Sequence, residues 1–448
     1  MSSPSPAPAA ISQLTYEALR DAVGGQAAAF RWRRKLQPAG GPGDKVFPPT
    51  FAGAVYAVEK RRIPGRQDAV TCVLLDSVQS QANRMEQALQ EAVDSEEISL
   101  PLVEVDFGPA FKEGKLVEDV GRITSLEAPH RLADAILRDS EYKEADGRLV
   151  PFRDSSVGKP INDASPRNAT PIYQLCPTAL LFGMWDSTGP KGGLGAKFER
   201  AVVSEVIGAD AAFGVRVSSR IDPLITATAD IIVYKRADGA WTPFIEQAAK
   251  DKNGKPVSYG KKGKLSEANL GNVLPTFSTY QKGASGPDPL RDGEEARQGA
   301  IAPGGVTFDY ALQTTTLSLA VLRRLAFPDG GARTPARDLA GRVALAALGL
   351  FAACAALEPG LALRSRCALV PCERGSWELV EGPEARPVLV SAETARGILE
   401  RATAAAAEVG LRWSDAPVVL TPSKELLDAA AKSQGSAREG KEADRDEG

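Results

Sequence analysis

The sequence has few of the residues that support metal, redox or acid–base chemistry. It contains one histidine, His130, and five cysteines that form no CxxC pair, so no recognisable zinc pattern is present. Its longest apolar run, 343–357, is Ala-rich and shorter than the roughly 20 residues of a membrane span. The first residues lack the basic segment and apolar stretch of a secretory signal. We therefore expect no metal, no cofactor, reduced thiols, no membrane partner and a cytoplasmic location.

The chain also lacks the basic excess of a typical free nucleic-acid-binding protein. It has 54 Lys and Arg against 57 Asp and Glu, a net charge of −3, and only 6% aromatic residues. Any anionic partner must therefore be inferred from local clusters of basic residues. Few aromatic side chains are present to stack on nucleic-acid bases. At 448 residues, with 43% hydrophobic and 25% charged residues, the chain is globular and long enough for several domains.

Residues 69–90 predict a buried strand followed by an amphipathic helix. Val70–Leu75 is a short, β-branched apolar run, and Asp76 and Ser77 suit a helix N-cap. Apolar residues then recur with a spacing of three and four, at Val78, Ala82, Met85 and Leu89. A helix start suits phosphate, and our candidates for phosphate contacts here are Gln79, Gln81, Asn83 and Arg84. An ordinary strand–helix unit with a solvated polar face fits the same pattern.

Two further stretches indicate phosphate contacts. Residues 178–208 predict a strand, a glycine-rich turn and a helix from about Ala196, without the Gly-Lys-Ser/Thr of an ATP-binding loop. The candidates there are Lys191, Gly193, Gly195 and Lys197. Residues 250–264 carry six lysines against a single aspartate, which favours an anionic partner over a solvated hairpin. This stretch, with the end of a preceding predicted strand, adds Arg220, Lys261, Lys262 and Lys264.

The string RWRRKL, residues 31–36, leaves two alternatives open. Its cations around one tryptophan could hold a phosphate backbone and stack a base, or they could belong to an exposed strand edge. Elsewhere, helices are predicted over about 15–23, 335–357 and 390–409. Strands are predicted near 100–107, 211–224, 366–369 and 377–380.

Several strings resemble one protein family: the crRNA-binding backbone subunits of type I-U (I-G) CRISPR surveillance complexes, also called Cascade, in the RAMP superfamily. The strings are KVFPPTFAGAVYAVEKRR, LLDSVQSQANRMEQAL, ITSLEAPHRLADAILRDS, SSRIDPL and GGVTFDYALQTTTLSLAVLRRLAF, and the resemblance covers most of residues 45–330. It implies an α+β fold with a modified RRM-like (ferredoxin-like) palm, large insertions and a helical C-terminal part. We expect a flexible segment over 1–12, the RAMP domain over 13–420 with insertions near 141–170 and 236–300, and a mostly disordered charged tail over 421–448 with a short helix over 424–431.

The resemblance also implies a role in antiviral defence. Copies of such a subunit assemble head-to-tail along one crRNA, and an inserted thumb crosses the guide at intervals. The guide then pairs with target DNA, alongside other effector subunits and a recruited helicase–nuclease. Because spacer sequences vary, recognition runs through the RNA backbone. No aromatic string of the usual RRM kind is present.

Two other functions stay open. The first is a ferredoxin-like endoribonuclease that cuts guide or target RNA, with Asp76, Asp186 or His130 as candidates. The second is a purely structural protein that contacts only other subunits, against which the local lysine density argues. We expect a non-catalytic RNA-binding subunit, because type I complexes destroy DNA through a separate nuclease.

Overall fold

A computed structural model describes residues 11–188, 195–224, 231–358, 360–373, 375–383 and 385–447, with side chains described as far as residue 435. Its strands are β1 (Ser12–Gln13), β2 (Ala29–Pro38), β3 (Val58–Arg61), β4 (Val70–Asp76), β5 (Val103–Asp106), β6 (Arg122–Thr124), β7 (Glu141–Lys143), β8 (Leu149–Pro151), β9 (Met184–Trp185), β10 (Lys197–Phe198), β11 (Val202–Ala209), β12 (Ala212–Val215), β13 (Val217–Arg220), β14 (Tyr234–Lys235), β15 (Trp241–Thr242), β16 (Val273–Phe277), β17 (Pro303–Thr307), β18 (Tyr310–Ser318), β19 (Leu361–Arg364), β20 (Cys367–Pro371), β21 (Trp377–Val380), β22 (Ala385–Leu389) and β23 (Val418–Leu420). Its α-helices are α1 (Tyr16–Gly24), α2 (Val78–Asp94), α3 (Gly108–Lys112), α4 (Ala135–Arg138), α5 (Lys159–Asn162), α6 (Thr170–Leu175), α7 (Thr178–Phe182), α8 (Leu319–Leu322), α9 (Pro335–Leu357), α10 (Ala392–Glu408) and α11 (Lys424–Glu447).

The central sheet has the ferredoxin-like arrangement. Along the chain, β2, α2, β11, β18, α9 and β21 form a strand–helix–strand–strand–helix–strand series. In the sheet these strands lie in the order β21–β2–β18–β11, and each neighbouring pair is antiparallel. The first strand of the series therefore lies between the fourth and the third. Strands β4 and β3 extend the sheet beyond β11, and the α+β fold class predicted from the sequence is confirmed.

One face of this sheet is covered by helices, with α9 at the centre of the layer. Helix α9 packs against α1, α2, α10 and β18, and side chains such as Leu350, Phe351 and Cys354 are buried. By length and composition α9 could cross a membrane, but 72% of its most apolar window is buried inside the protein. Burial in this core accounts for its apolar sequence.

A long two-stranded arm leaves the sheet between β11 and β18. Strand β12 pairs with β17 and β13 pairs with β16, so the β11–β18 hairpin continues outward as one antiparallel ribbon. Residues 221–224 and 231–272 lie beyond the ribbon and include the β14–β15 pair. We call residues 210–309 the arm. The insertion predicted near 236–300 lies inside it.

Long periodic elements and short strands such as β4 and β21 are predicted correctly, whereas the elements of residues 178–208 are not. The helices predicted over 15–23 and 335–357 are α1, with Thr15 as its N-cap, and α9. The predictions for 178–208 are wrong, because Thr178–Phe182 is the buried helix α7 and β11 follows where a helix was expected. A short apolar run has no diagnostic period, and the β-branched residues of Val202–Ala209 favour a strand.

Both ends of the chain differ from the prediction where they are described. Residues 1–10 of the predicted flexible N-terminus lie outside the described residues, and β1 begins at Ser12. Within the tail expected to be mostly disordered, the short helix predicted over 424–431 is the beginning of α11, which continues to Glu447. There Leu426, Leu427, Ala430 and Ala431 pack against the core, because this amphipathic segment buries one apolar side.

The glycines of two long helices provide a test of the packing. A Cβ at Gly341 in α9 would lie 2.7 Å from side-chain carbons of Phe327 and Leu411, whereas one at Gly397 in α10 meets nothing within 4 Å. Gly341→Ala should lower the free energy of unfolding by about 1–3 kcal/mol through overpacking. Gly397→Ala should raise it by about 0.5–1 kcal/mol through helix propensity. Urea unfolding measures both, and shifts of the same sign would contradict the packing described.

Candidate nucleic-acid interface

The predicted helix start at residue 78 is built around a buried carboxylate. Asp76, the last residue of β4, is fully buried. Its Oδ2 accepts hydrogen bonds from Gln81 Nε2 at 2.6 Å and from Arg84 Nε at 2.9 Å. Arg84 also donates through Nη2 to the carbonyl oxygen of Leu363 at 2.8 Å. The polar side of this helix start is therefore occupied by contacts within the protein.

Further hydrogen bonds connect Gln81 to side chains on the sheet strands β11 and β18. Gln81 Oε1 accepts from Ser204 Oγ at 2.8 Å and from Gln313 Nε2 at 3.0 Å. Gln313 Oε1 accepts from Nε and Nη2 of Arg34, at 3.0 and 2.8 Å. Burial lowers the pKa of Arg34 to about 10, so the guanidinium remains charged at neutral pH. We call Arg34, Asp76, Gln81, Ser204 and Gln313 the buried polar network.

The α2 candidates therefore separate into structural and exposed residues. The predicted RNA contact is wrong for Gln81, which is fully buried. Arg84, whose side chain is 26% exposed, links Asp76 to a backbone carbonyl and has a structural role. Gln79 and Asn83 are exposed, but Asn83 lines a groove of about 720 Å³ with several carboxylates. That groove repels an RNA backbone.

The predicted phosphate loop around residues 191–197 has a different context from the one expected. Lys191 and Gly193 lie outside the described residues, and Gly195 is half-buried. Lys197 is on β10, which forms an antiparallel pair with β9, and its Nζ lies 4.8 Å from the ring centroid of Trp185. Because no helix follows, the segment offers no helix N-terminus for phosphate.

The arm carries the remaining candidates in two environments. Arg220 donates through Nε to the carbonyl oxygen of Gly271 at 2.9 Å and so fixes the base of the arm tip. Lys261, Lys262 and Lys264 are exposed. Backbone N–H groups of this turn, chiefly that of Lys264, bond to the Glu267 carboxylate and hold its pKa below the usual value. The turn is thereby ordered while its ammonium groups face solvent.

Strand β2 provides a basic surface that the sequence left undecided. Its buried side chains face the helix layer: Phe30, Trp32, Arg34 and Leu36. Because side chains alternate along a strand, Arg31, Arg33 and Lys35 lie on the opposite face, which we call the open face. Both alternatives for RWRRKL need correction, because β2 is an interior strand and Trp32 packs on Trp377 with ring centroids 5.3 Å apart. The tryptophan is unavailable to a base.

The three cations of the open face differ in their partners. Arg31 forms an ion pair with Glu378 at 2.7 Å, and Lys35 Nζ lies 5.1 Å from the ring centroid of Tyr310. Arg33 is exposed and has no ion pair or side-chain hydrogen bond in the described part of the chain. Across from it on β18 lies Thr314. Successive cations are about 6.6 Å apart along the strand.

Exposed apolar side chains are frequent on the arm. Val217 and Phe277 are exposed and lie opposite each other across the β13–β16 ribbon, and Ile221, Leu224 and Leu274 are exposed as well. An isolated two-stranded ribbon is only marginally stable in water. This part of the arm therefore has a surface suited to a partner.

The candidate catalytic residues form no constellation. Asp76 is fully buried in the polar network, and Asp186 is nearly buried with Arg138 Nη1 3.6 Å from its Oδ1. His130 is exposed, and its backbone N–H donates to Asp134 Oδ2 at 3.2 Å. Among the residues that the structure describes, no group of three His, Cys, Asp or Glu side chains could hold a metal ion.

Comparison with known families gives one match. Residues 30–213 match the family described as CRISPR-associated protein GSU0053. The matched range contains β2, β4, α2 and β11, and therefore both the open-face cations and most of the buried polar network. A search among curated proteins found no match.

Substitutions of two glutamines of α2 distinguish a buried structural side chain from an exposed one. Gln81→Leu should lower the free energy of unfolding by about 2–3 kcal/mol, because it leaves buried polar partners unpaired. Gln79→Leu, the control on the same helix, should change it by less than about 0.5 kcal/mol. Thermal or urea unfolding measures both. Equal stabilities of the two variants would contradict the buried polar network.

Proposed function

This chain is a CRISPR-associated protein of the type I-U GSU0053 family, and from that premise we propose that it binds guide RNA as a backbone subunit of an interference complex. The observation that carries the proposal is the row of cations on the open face of β2. Arg33 and Lys35 are exposed, and they extend from a strand held at the centre of the sheet.

The chemistry of this surface suits an RNA backbone rather than particular bases. Guanidinium and ammonium groups neutralise phosphates, and threonine hydroxyls such as that of Thr314 bond sugar or phosphate oxygens. Tryptophan and phenylalanine of β2 are buried on the other side, so the strand offers no stacking platform of the usual RRM kind. A guide whose sequence varies requires this kind of recognition.

The arm supports the proposed assembly. It joins the second and third strands of the ferredoxin-like series, carries exposed apolar side chains along its ribbon and has six exposed lysines in residues 250–264. We assign it the role of the thumb, which crosses the guide and contacts another copy of the chain in a head-to-tail filament. Guide bases left free would pair with target DNA, and other effector subunits and a helicase–nuclease complete the complex.

We further propose that the subunit has no catalytic activity. The carboxylates that an endoribonuclease would use are sequestered: Asp76 holds Gln81 and Arg84, and Asp186 lies beside Arg138. His130 is exposed, but no side-chain hydrogen bond or ion pair joins it to a carboxylate in the described part of the chain. General acid–base cleavage needs such a partner within hydrogen-bond reach.

Removing the open-face charges tests the RNA-binding surface. The double variant Arg33→Gln, Lys35→Gln should weaken binding of guide RNAs of different spacer sequence to the same extent. The slope of log affinity against log salt should fall by about 1.4, because two phosphate contacts are lost. Arg20→Gln, exposed on α1 in the helix layer, is the control. A loss restricted to one spacer sequence, or an equal loss in the control, would count against the proposal.

Co-expression with crRNA and the partner subunits tests assembly and catalysis together. We expect a high-mass peak in size exclusion that contains RNA of guide length, and that RNA should stay intact on incubation. A monomer without RNA would overturn the backbone role. RNA cut at a fixed position would favour the endoribonuclease, and loss of cutting in His130→Ala or Asp186→Asn would then identify the residue.

A further inference from the structure

A second basic feature lies at the opposite side of the molecule from the open face, in the helix layer. A cleft of about 440 Å³ opens beside the first turn of α9 and the end of α1. Three arginines line it together with a single carboxylate, that of Asp338. Its apolar wall comes from residues such as Val23 and Leu339. The function proposed above makes no use of this cleft.

Two of the arginines are fixed by backbone contacts. Arg323 donates through Nε to the carbonyl oxygen of Val23 at 3.1 Å and through Nη2 to that of Ala22 at 2.9 Å. Arg342 donates through Nε and Nη2 to the carbonyl oxygen of Leu325, at 2.9 and 2.6 Å. Their guanidinium groups are half-buried and preorganised, so an incoming ligand need not order them. Neither group uses Nη1 for a hydrogen bond in the described part of the chain.

The third arginine, Arg333, can move toward a bound ligand. The Arg333 side chain is 58% exposed, and its described partner is Asp338, which accepts from Nε. Its two Nη groups have no protein acceptor among the described residues. Asp338 Oδ2 is also 3.4 Å from Arg342 Nη2. The Asp338 carboxylate therefore pairs with two guanidinium groups, those of Arg333 and Arg342.

The lining carries an excess of positive charge. Three guanidinium groups stand against one carboxylate, although part of the Arg323 charge balances the carbonyl groups at the end of α1. Burial lowers the pKa of Arg342, the Asp338 carboxylate raises it, and the nearby charges of Arg333 and Arg323 lower it by less. Crowding of like charges costs free energy that a bound anion would offset.

We propose that this cleft binds a phosphate monoester, supplied by the end of an RNA strand or by a small phosphorylated compound. A monoester carries about 1.5–2 negative charges at pH 7 and three strong acceptor oxygens, which match an excess of two positive charges. Arginine forks bind such oxygens in pairs. A single carboxylate from a protein partner would neutralise only one of these two excess positive charges. The proposal does not rest on guide binding by β2.

The test uses the full chain and two matched variants. The probes are inorganic phosphate and one short oligoribonucleotide with either a 5′-phosphate or a 5′-hydroxyl, measured by calorimetric titration. Arg333→Gln should weaken binding of the 5′-phosphorylated RNA about tenfold, the loss of about 1.4 kcal/mol expected for a charge-assisted contact. Arg324→Gln is the control. It is the neighbouring arginine, is exposed, pairs with Glu199 at 2.7 Å and lies outside the cleft.

Each outcome bears on the proposal. A preference for the 5′-phosphate that Arg333→Gln removes supports an RNA end as the ligand. Saturable binding of inorganic phosphate without that preference, again lost in Arg333→Gln, supports a small phosphorylated compound. No phosphate-dependent binding, an equal loss in Arg324→Gln, or equal competition by a glutamate-rich peptide would overturn the proposal. The variant Arg33→Gln, Lys35→Gln should retain phosphate binding, so failure of the guide-binding proposal can be distinguished.

Discussion

The architecture depends on the buried polar network that begins at Asp76. A buried carboxylate and a buried guanidinium are costly unless each is paired, and here two amides connect them: Asp76 bonds to Gln81, Gln81 to Gln313, and Gln313 to Arg34. Arg34 Nη2 also donates to the carbonyl oxygen of Leu357 at the end of α9 at 2.8 Å. The chain of contacts therefore joins β4, α2, β18, β2 and α9. Removing Gln81 or Gln313 would break the connection between the two charges and leave buried polar atoms unpaired.

This network also fixes the register of the strand that carries the proposed RNA contacts. Arg34 can reach Gln313 only if β2 and β18 pair as they do, with Gln313 beside Arg34. A slip of one residue would place Arg34 on the open face and bury Arg33 and Lys35 beneath the helices. The cost of burying two unpaired cations excludes that register. The buried Arg34, which lies between Arg33 and Lys35 in the sequence, thus fixes these two cations on the open face.

The sequence predicts the long elements and the fold class but not the role of individual polar residues. The periodicity of residues 78–89 is enough to predict α2, yet Gln79 and Gln81 look alike in the sequence. Besides Asp76, the partners of Gln81 are Ser204 and Gln313, more than 100 residues away along the chain, and the local sequence does not reveal them. For the same reason RWRRKL suggested a basic strand without showing that Trp32 faces the core. The helix α7 is not predicted because a run of five buried residues is too short to carry a periodic signal.

The distribution of charge explains how a chain with a net charge of −3 can present a basic surface. Acidic side chains concentrate on the exposed flank of α2, where Glu91, Asp94 and Glu127 line one groove, while Arg33 and Lys35 lie on the far side of the sheet. These two local clusters have opposite signs, and the net charge hides both. A polyanion approaching such a molecule is repelled from the acidic groove and attracted to the open-face cations. Because the buried polar network fixes which residues of β2 point outward, the same interactions that hold the core together determine which face is basic.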